Sequence, residues 1–331
     1  MALLLLLATA VLGDVPAPPA PEARPPAEAW SDFPGLPIFG SMNPLEYTRS
    51  ALFSPPILRP ASSWAFSLQF DYASAIELYG NDPNSVLLDA ELGHLTFTAT
   101  FRVTPAVFLL VQGGVQGAYR GFLDKPLDWY HSLLGISYQA RELRPTNKFG
   151  YYFQSGSTRE TYKPVDLTLL DTRLGVGFML SDELQLLATL VVPTAWFDGY
   201  AAHTLQVGAI LTWQRPLWSW LLFQGTLGVG ATPRTDGLLG PYQNLVFLSA
   251  SAGGRARLSQ HNYLYLNFFF QTPIYSGTGD PALDYVEGSL DFGYLFRTDS
   301  GWEFSVGMTE DPVAAGPALD IIFRFGVRHG F

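Results

Sequence analysis

The strongest constraint on the fold is a two-residue alternation of apolar and polar side chains that recurs along most of the chain. In residues 95–103, for example, Leu95, Phe97 and Phe101 alternate with threonines. Successive side chains of a β-strand point to opposite faces, so such a stretch forms a strand with one apolar face. A helix would scatter the same side chains around its surface. The alternation therefore predicts an all-β fold.

The alternation delimits twelve strands, and the connections between them alternate in length. The strands are expected near 64–79, 86–103, 105–118, 167–180, 183–193, 202–213, 218–231, 244–258, 261–273, 284–297, 301–310 and 319–331. Short turns at one end, long loops at the other and an even strand number are typical of a transmembrane antiparallel β-barrel. Ten or fourteen strands stay open, because Tyr151-Tyr152-Phe153 in the longest loop, 119–166, is able to begin a further hairpin.

A soluble sandwich or barrel also alternates, and aromatic residues distinguish the two classes. Tryptophans cluster near the predicted short turns, namely Trp64, Trp213, Trp218, Trp220 and Trp302. A membrane barrel carries such a girdle at the lipid interface. The chain is 48% hydrophobic and only 15% charged, yet it has no long apolar run of the kind a transmembrane helix needs, about 18–20 residues. These features favour a barrel that crosses a membrane.

The amino terminus divides into segments that precede the barrel. Residues 1–13 have the apolar core and the small residues of a signal peptide, but they lack the positively charged N-terminal region that usually precedes the core. Residues 14–60 form a proline-rich leader and an N-terminal arm. The apolar, proline-broken part of this arm, 33–60, is expected either to plug the barrel or to remain an unstructured periplasmic arm. Residues 61–331 form the predicted barrel.

The longest loop carries a helical pattern. Leu127, Tyr130 and Leu134 recur at helical spacing after Asp124, which predicts a short amphipathic helix near 127–139. The segment RELRPTN follows, with Arg141, Glu142 and Arg144 as loop-docking candidates. We expect these side chains to dock the helix into the lumen, because arginine pairs well with carboxylates. Contact with lipopolysaccharide phosphates and a solvated loop are the alternatives.

Several motifs resemble one known family. They are Asn43-Pro44, LDAELGHLTFTATFRVTP at 88–105, GFLDKPLDWYHSLLG at 121–135, RELRPTNKF at 141–149 and the terminal strand LDIIFRFGVRHGF. Together they resemble an uncharacterised Gram-negative outer-membrane β-barrel family, a domain of unknown function (DUF3187). The resemblance implies an outer-membrane location among lipid and lipopolysaccharide. It also implies that the terminal strand, which ends at Phe331, closes the barrel and is recognised by the barrel-assembly machinery. It implies no activity, and His329 departs from the usual apolar pattern of such a closing strand.

The polar faces of the strands supply candidates that line the lumen. These are His94, Arg102, Asp171, Arg173, Glu183, Arg255, Arg257, Glu287, Asp291, Glu303, Asp320, Arg324 and Arg328. Both signs of charge occur in similar numbers, which favours a paired structural network over an ion-selective pore. We therefore expect a non-enzymatic barrel, either a narrow or gated channel for small solutes or a structural surface protein. The oligomeric state does not follow from the sequence.

An outer-membrane lipid-modifying hydrolase is the alternative function. It would require a serine nucleophile, a histidine base and an orienting Asn or Asp. The histidines are His94, His131, His203, His261 and His329, and no recognised spacing links them to such partners. Cysteine is absent, and no cofactor motif or metal-ligand cluster is present in the sequence. The formal net charge of -10 argues against a nucleic-acid partner.

Overall fold

The computed structural model describes residues 33–55, 63–81, 84–134, 143, 146–311 and 319–330. Their strands are β1 (Trp64–Asn81), β2 (Asn84–Thr104), β3 (Val107–Tyr119), β4 (Gly150–Ser155), β5 (Thr158–Thr161), β6 (Val165–Leu169), β7 (Thr172–Ser181), β8 (Leu184–Val192), β9 (Gln206–Trp218), β10 (Leu221–Ala231), β11 (Val246–Arg257), β12 (Asn262–Gln271), β13 (Glu287–Arg297), β14 (Glu303–Glu310) and β15 (Ile321–Gly330). Helical segments are the 3₁₀ helix Pro44–Arg49, helix α1 (Asp124–Leu134), the 3₁₀ turn Gly240–Tyr242 and the helical turn Pro281–Asp284.

Twelve of the described strands close into an antiparallel barrel. The ring runs from β1 through β2, β3 and β7 to β15, and β15 pairs with β1 from Ala65↔Gly330 to Ser74↔Ile321. Closure leaves no unpaired edge in the ring, which is what lets a sheet cross a membrane. The predicted fold class, an all-β transmembrane barrel of about twelve strands with a short helix in one long loop, is confirmed.

The remaining strands lie at the end of the barrel that carries the long loops. β4 and β5 form a hairpin on the part of β2 that extends above the ring, so the Tyr151 hairpin adds no strand to the ring itself. β6 pairs with β3 where β3 extends beyond β7. One predicted strand, 167–180, is therefore divided between β6 and β7.

The outward face of the ring is apolar over most of its height. Exposed side chains include Phe70, Phe97, Val176, Leu211, Phe268 and Phe325, from strands around the ring. The five predicted girdle tryptophans are also exposed near the short turns. His329 joins this girdle, because its ring stacks on Trp302 with a centroid distance of 4.6 Å. Among the described residues, no helix is long and apolar enough to span a membrane.

Helix α1 lies on the outside of the barrel. Leu123, Leu127 and Ile321 form a buried cluster with Tyr72, and the side chains of Met308 and Phe323 pack against it. The strand residues of this cluster all point outward, as the register of β1, β14 and β15 requires. The expectation that this helix docks into the lumen is therefore wrong. The reason is that the apolar face of the helix packs on an apolar patch of the outer wall.

Polar groups on the outer wall also hold the helix. The Leu123 amide donates to Glu91, and Tyr72 donates to the same carboxylate at 2.5 Å. Burial and the neighbouring Glu310 carboxylate raise the pKa of Tyr130 to about 12, so this hydroxyl stays protonated. Asn147, the last residue of RELRPTN, donates its amide to Asp124 at the start of α1. Arg141, Glu142 and Arg144 lie outside the described residues, as does Phe331.

Candidate functional site

The lumen contains residues 33–55, hereafter the lumen segment. At the end with the short turns, Phe33 and Leu36 pack on Leu222, Tyr263 and Leu295 of the inner wall. The chain then rises to the 3₁₀ helix near the other end and returns, and the Ser54 amide donates to the Phe39 carbonyl at 2.7 Å. The segment therefore forms a hairpin whose tip is Pro44–Arg49.

The returning arm of the hairpin packs on a different part of the wall. Leu52 and Phe53 are buried against Phe108, Leu110, Leu187, Ile210 and Phe247 of β3, β8, β9 and β11. These strand residues occupy inward positions, where a barrel filled only with water would carry polar groups. Their apolar character is explained by the segment that covers them.

Local sequence explains the tip. The Asn43 side chain accepts a hydrogen bond from the Leu45 amide at 2.9 Å, and Pro44 occupies the first turn of the helix. Asparagine is a preferred N-cap, and proline at the first turn loses no helical hydrogen bond. Asn43-Pro44 therefore stops the ascending chain and starts the helical tip.

Inward side chains from about half of the ring strands bind carbonyl groups of the lumen segment. Arg255 donates to Pro34 O at 2.6 Å, Gln69 to Ile38 O at 2.8 Å, Gln206 to Tyr47 O at 2.7 Å, Arg173 to Ser50 O at 2.9 Å and Thr189 to Ala51 O at 2.9 Å. Thr232 likewise donates to Thr48 O. The described part of the segment joins no sheet of the wall, so its buried carbonyls need these side-chain donors. This requirement accounts for inward Gln69, Gln206, Thr189 and Thr232.

Arg49 ties the tip to the wall. Its guanidinium is fully buried, lies 3.0 Å from Glu287 Oε2 on β13 and also contacts Glu46 within the tip. It donates in addition to the Thr272 carbonyl at the end of β12. A buried charge is stable only when it is paired and hydrogen-bonded, and Arg49 is both.

A second ion-pair network lies in the wall at the closure of the barrel. Arg324 on β15 lies 2.7 Å from Asp71 on β1 and 2.7 Å from Asp291 on β13. Thr309 donates to Asp291 at 3.0 Å and Gln69 to Asp71 at 2.7 Å. The network therefore links strands on both sides of the β1–β15 seam.

The predicted lumen residues fall into groups. Six of them contact the lumen segment, namely Arg173, Arg255, Glu287, Glu303, Arg257 and Arg328. Arg257 lies against Phe33, and Arg328 lies against Gly35. Asp291 and Arg324 form the seam network, and His94 lines a cavity beside it. Asp171 accepts the amides of Thr194 and Ala195 in a loop, and Asp320 lies 3.5 Å from His131 of α1. Arg102 and Glu183 lie at the short-turn rim, where Arg102 donates to Pro105 O.

Several residues that matter here were not among the sequence candidates. Asp71, Gln69 and Gln206 occupy inward positions of the alternation, and this alternation is the sequence pattern that could have identified them. The two glutamines carry no charge, so a search for charged inward residues does not include them. Arg49 and Glu46 lie outside any strand, so the alternation gave no information about them.

Spaces remain beside the lumen segment. At the end with the long loops, a bowl of about 730 Å³ is lined by Tyr47, Tyr162, His203, Arg234, Leu238 and Tyr275. Below it, an inner cavity of about 100 Å³ is lined by Tyr47, Gln116, Gln112, His94, Asp71 and Gln69. A lower cavity of about 30 Å³ is lined by Gln69, Ile38, Gly35, Ser67, Glu303 and Arg328.

Burial and a hydrogen bond to Glu160 raise the pKa of Tyr162 in the bowl.

His131 and Ser132, which are adjacent in the sequence, do not form a hydrolytic arrangement. His131 lies 3.5 Å from Asp320, but the Ser132 hydroxyl donates to the Trp129 carbonyl of its own helix. His203 pairs with Asp198 at 3.2 Å in an exposed loop. In the part of the chain that the structure describes, no group of His, Cys, Asp and Glu side chains is suited to hold a metal ion.

Comparisons with solved structures return outer-membrane barrels. The COG4313 outer membrane channel from Pseudomonas putida F1 is 11% identical with a TM-score of 0.52, and the alignment covers 83% of this chain and 97% of that chain. The NanC porin is 5% identical with a TM-score of 0.47, covering 80% and 100%. The translocator domain of the autotransporter NalP from Neisseria meningitidis is 12% identical with a TM-score of 0.44, covering 82% and 89%. At 11% identity, the likeness to the Pseudomonas putida channel shows the fold alone.

A search of curated proteins finds no match to the chain. A family match, by contrast, covers residues 26–331, which include the lumen segment and the whole barrel. It agrees with the resemblance seen in the sequence motifs. The chain therefore belongs to the family described as protein of unknown function (DUF3187).

Proposed function

We propose that this protein is an outer-membrane channel for small solutes whose lumen is closed by residues 33–55. The observation that carries the proposal is the lumen segment itself, which fills the barrel and is bound by side chains of β1, β7, β8, β9 and β11 and of Thr232 just after β10. The barrel fold, shared with the outer membrane channel from Pseudomonas putida F1, supports the same role and location. The long loops face outward in this proposal, and the short turns face the periplasm.

The way the lumen segment is held supports a movable closure over a permanent core. The ring strands pair with one another around the whole circumference without any strand from the segment. The segment is held by individual side-chain hydrogen bonds, the Arg49–Glu287 ion pair and apolar packing. These contacts can break while the hydrogen bonds of the wall stay intact. A structural surface barrel would not require a separable lumen segment.

Deletion of residues 33–55 tests the proposal. The variant should show a higher single-channel conductance in planar lipid bilayers than the full chain, because the lumen then holds water instead of protein. Heat-modifiable migration on a denaturing gel verifies that the variant still forms a barrel.

Deletion of residues 124–134 is the matched control. This change removes a segment from the outer wall, so the conductance should stay at the level of the full chain. If deletion of 33–55 gives a folded barrel with unchanged conductance, the lumen segment does not close a channel and the proposal is wrong.

A further inference from the structure

The spaces beside the lumen segment follow one side of the barrel. The bowl, the inner cavity and the lower cavity lie one below another from the long loops to the short turns. Neighbouring spaces share lining residues: Tyr47 lines both the bowl and the inner cavity, while Ile38 and Gln69 line both the inner and the lower cavity. The bowl and the inner cavity therefore meet at Tyr47, and the inner and lower cavities meet where Gln69 contacts Ile38.

We propose that these spaces form the solute path, which runs between the lumen segment and the wall along β1 and is closed in series by Tyr47 above and by the Gln69–Ile38 contact below. The inference rests on the proposed channel function and adds the route and its gates. The segment then need not leave the barrel for a solute to pass.

The upper gate is a side chain at the tip of the hairpin. Tyr47 is half-buried, and its hydroxyl lies 3.4 Å from Gln116 Oε1, a weak hydrogen bond. Its main chain is held separately, because Gln206 donates to Tyr47 O at 2.7 Å. The Tyr47 side chain can therefore change rotamer while the tip stays anchored by Arg49 and Gln206.

The lower gate is a side chain of the wall. Gln69 Nε2 donates to Ile38 O at 2.8 Å and to Asp71 Oδ2 at 2.7 Å, which joins the wall to the lumen segment across the path. Removal of this amide leaves Asp71 paired with Arg324. The gate can therefore be removed without breaking the ion pair at the seam.

The lining of the path defines the chemical class of solute. Between the gates the wall presents the amides of Gln112 and Gln116, the imidazole of His94, and the Asp71 and Arg173 side chains. Such groups replace the hydration of a small hydrophilic solute, and the presence of both signs of charge gives no strong preference for cations or anions. We therefore assign the path to small hydrophilic molecules.

Two gates in series predict a characteristic response to mutation. Because the resistances of serial constrictions add, removing one gate leaves the other limiting. Tyr47→Ala and Gln69→Ala should each raise single-channel conductance slightly. The double variant should raise it by more than the sum of the two single increases.

Matched controls separate the path from general loosening of the lumen. Tyr294→Ala removes a tyrosine from the outward face of β13, and Gln224→Ala removes an inward glutamine of the opposite wall, bonded to Arg255 at 3.1 Å. Neither residue lines the inner or the lower cavity within the described chain, so the control pair should leave conductance unchanged. Where an alanine variant fails to show heat-modifiable migration, Tyr47→Val and Gln69→Ser make the same test.

The position of the path has its own readout. In the double variant, Gln116→Lys should shift the reversal potential in a salt gradient toward anions, because Gln116 lines the inner cavity. Gln224→Lys in the same background should not shift it. An equal shift for both lysines would contradict a path along β1.

The outcomes distinguish the path from the channel. If deletion of 33–55 raises conductance but the double variant gives no more than the sum of its singles, the path is wrong and the channel stands. If deletion of 33–55 raises nothing, both are wrong.

Discussion

At the scale of single residues, two buried arginines of the lumen are each paired with two carboxylates. Arg324 is shared between Asp71 and Asp291, and Arg49 between Glu46 and Glu287. Removing one partner of a buried pair leaves an uncompensated charge, which costs more than removing the whole network. The two arginines have different consequences, because Arg324 joins strands of the wall and Arg49 joins the wall to the lumen segment.

Arg324→Met should destabilise the barrel, by about 3–5 kcal/mol for a buried pair that loses one partner. The physical reason is that Asp71 and Asp291 then carry unpaired negative charge inside the wall. The temperature at which heat-modifiable migration is lost should fall. The triple variant Asp71→Asn, Asp291→Asn, Arg324→Met should recover most of the loss, and an equal loss in both variants would contradict an electrostatic cause.

Arg49→Met should act on conductance more than on wall stability. The variant keeps an aliphatic chain of similar length but loses the bonds to Glu287 and Thr272 O, so the tip is held less firmly. Single-channel recordings should show more frequent openings than in the full chain. Arg120→Met, at an exposed position, is the control. Identical opening frequencies for the two variants would show that Arg49 does not hold the tip.

At the scale of elements, α1 shows how an amphipathic pattern predicts a helix without predicting its partner. The sequence pattern correctly predicted the apolar face of the helix. That face could pack on either of two apolar surfaces, the inner wall or the outer wall of the barrel. The lumen segment already fills the inside. The outer wall near the long loops offers Tyr72, Phe323 and Met308, and α1 packs there.

Leu127→Ala should loosen α1 from the outer wall, at a cost of about 2–5 kcal/mol for a buried leucine. Leu133→Ala is the control, because Leu127 is 2% exposed and Leu133 is 64% exposed. Limited chymotrypsin digestion after Trp129, an exposed residue of the helix, should be faster in the first variant and unchanged in the second. Conductance should stay unchanged in both, and a rise in the first would contradict the proposed solute path inside the barrel.

At the scale of the whole molecule, closure of β1 on β15 turns an open sheet into a barrel. The register runs without interruption from Ala65↔Gly330 to Ser74↔Ile321. An open sheet would leave unpaired amides and carbonyls in lipid, each costing several kcal/mol. Closure is therefore all or nothing in a membrane.

Removal of residues 321–331 should abolish the barrel, because both β1 and β14 would then lose a partner. The truncated chain should show no heat-modifiable band after refolding in detergent. His329→Phe serves as a control that keeps the strand and its aromatic contact with Trp302, and it should migrate like the full chain. A heat-modifiable band from the truncated chain would contradict the requirement for β15.

The barrel and most of its strand positions can be read from the sequence alone. An alternation of period two, as in β2 or β12, reports which face of each strand is apolar, and alternating connection lengths report the two ends. These are local properties of the chain. The twelve-strand ring, the girdle tryptophans and the inward positions of Arg324 and Asp291 followed from them.

What fills the lumen and what lies outside it depends on contacts that form when the chain folds. Residues 33–55 carry no regular period, because their carbonyls are bound by side chains such as Gln206 and Arg173 that are distant in the chain. The side of the wall that α1 covers, and the contacts of Tyr47 and Gln69 that separate the cavities, likewise depend on which surfaces meet. Contacts between remote segments leave no local pattern, so the sequence determined the wall while the folded structure decided the interior.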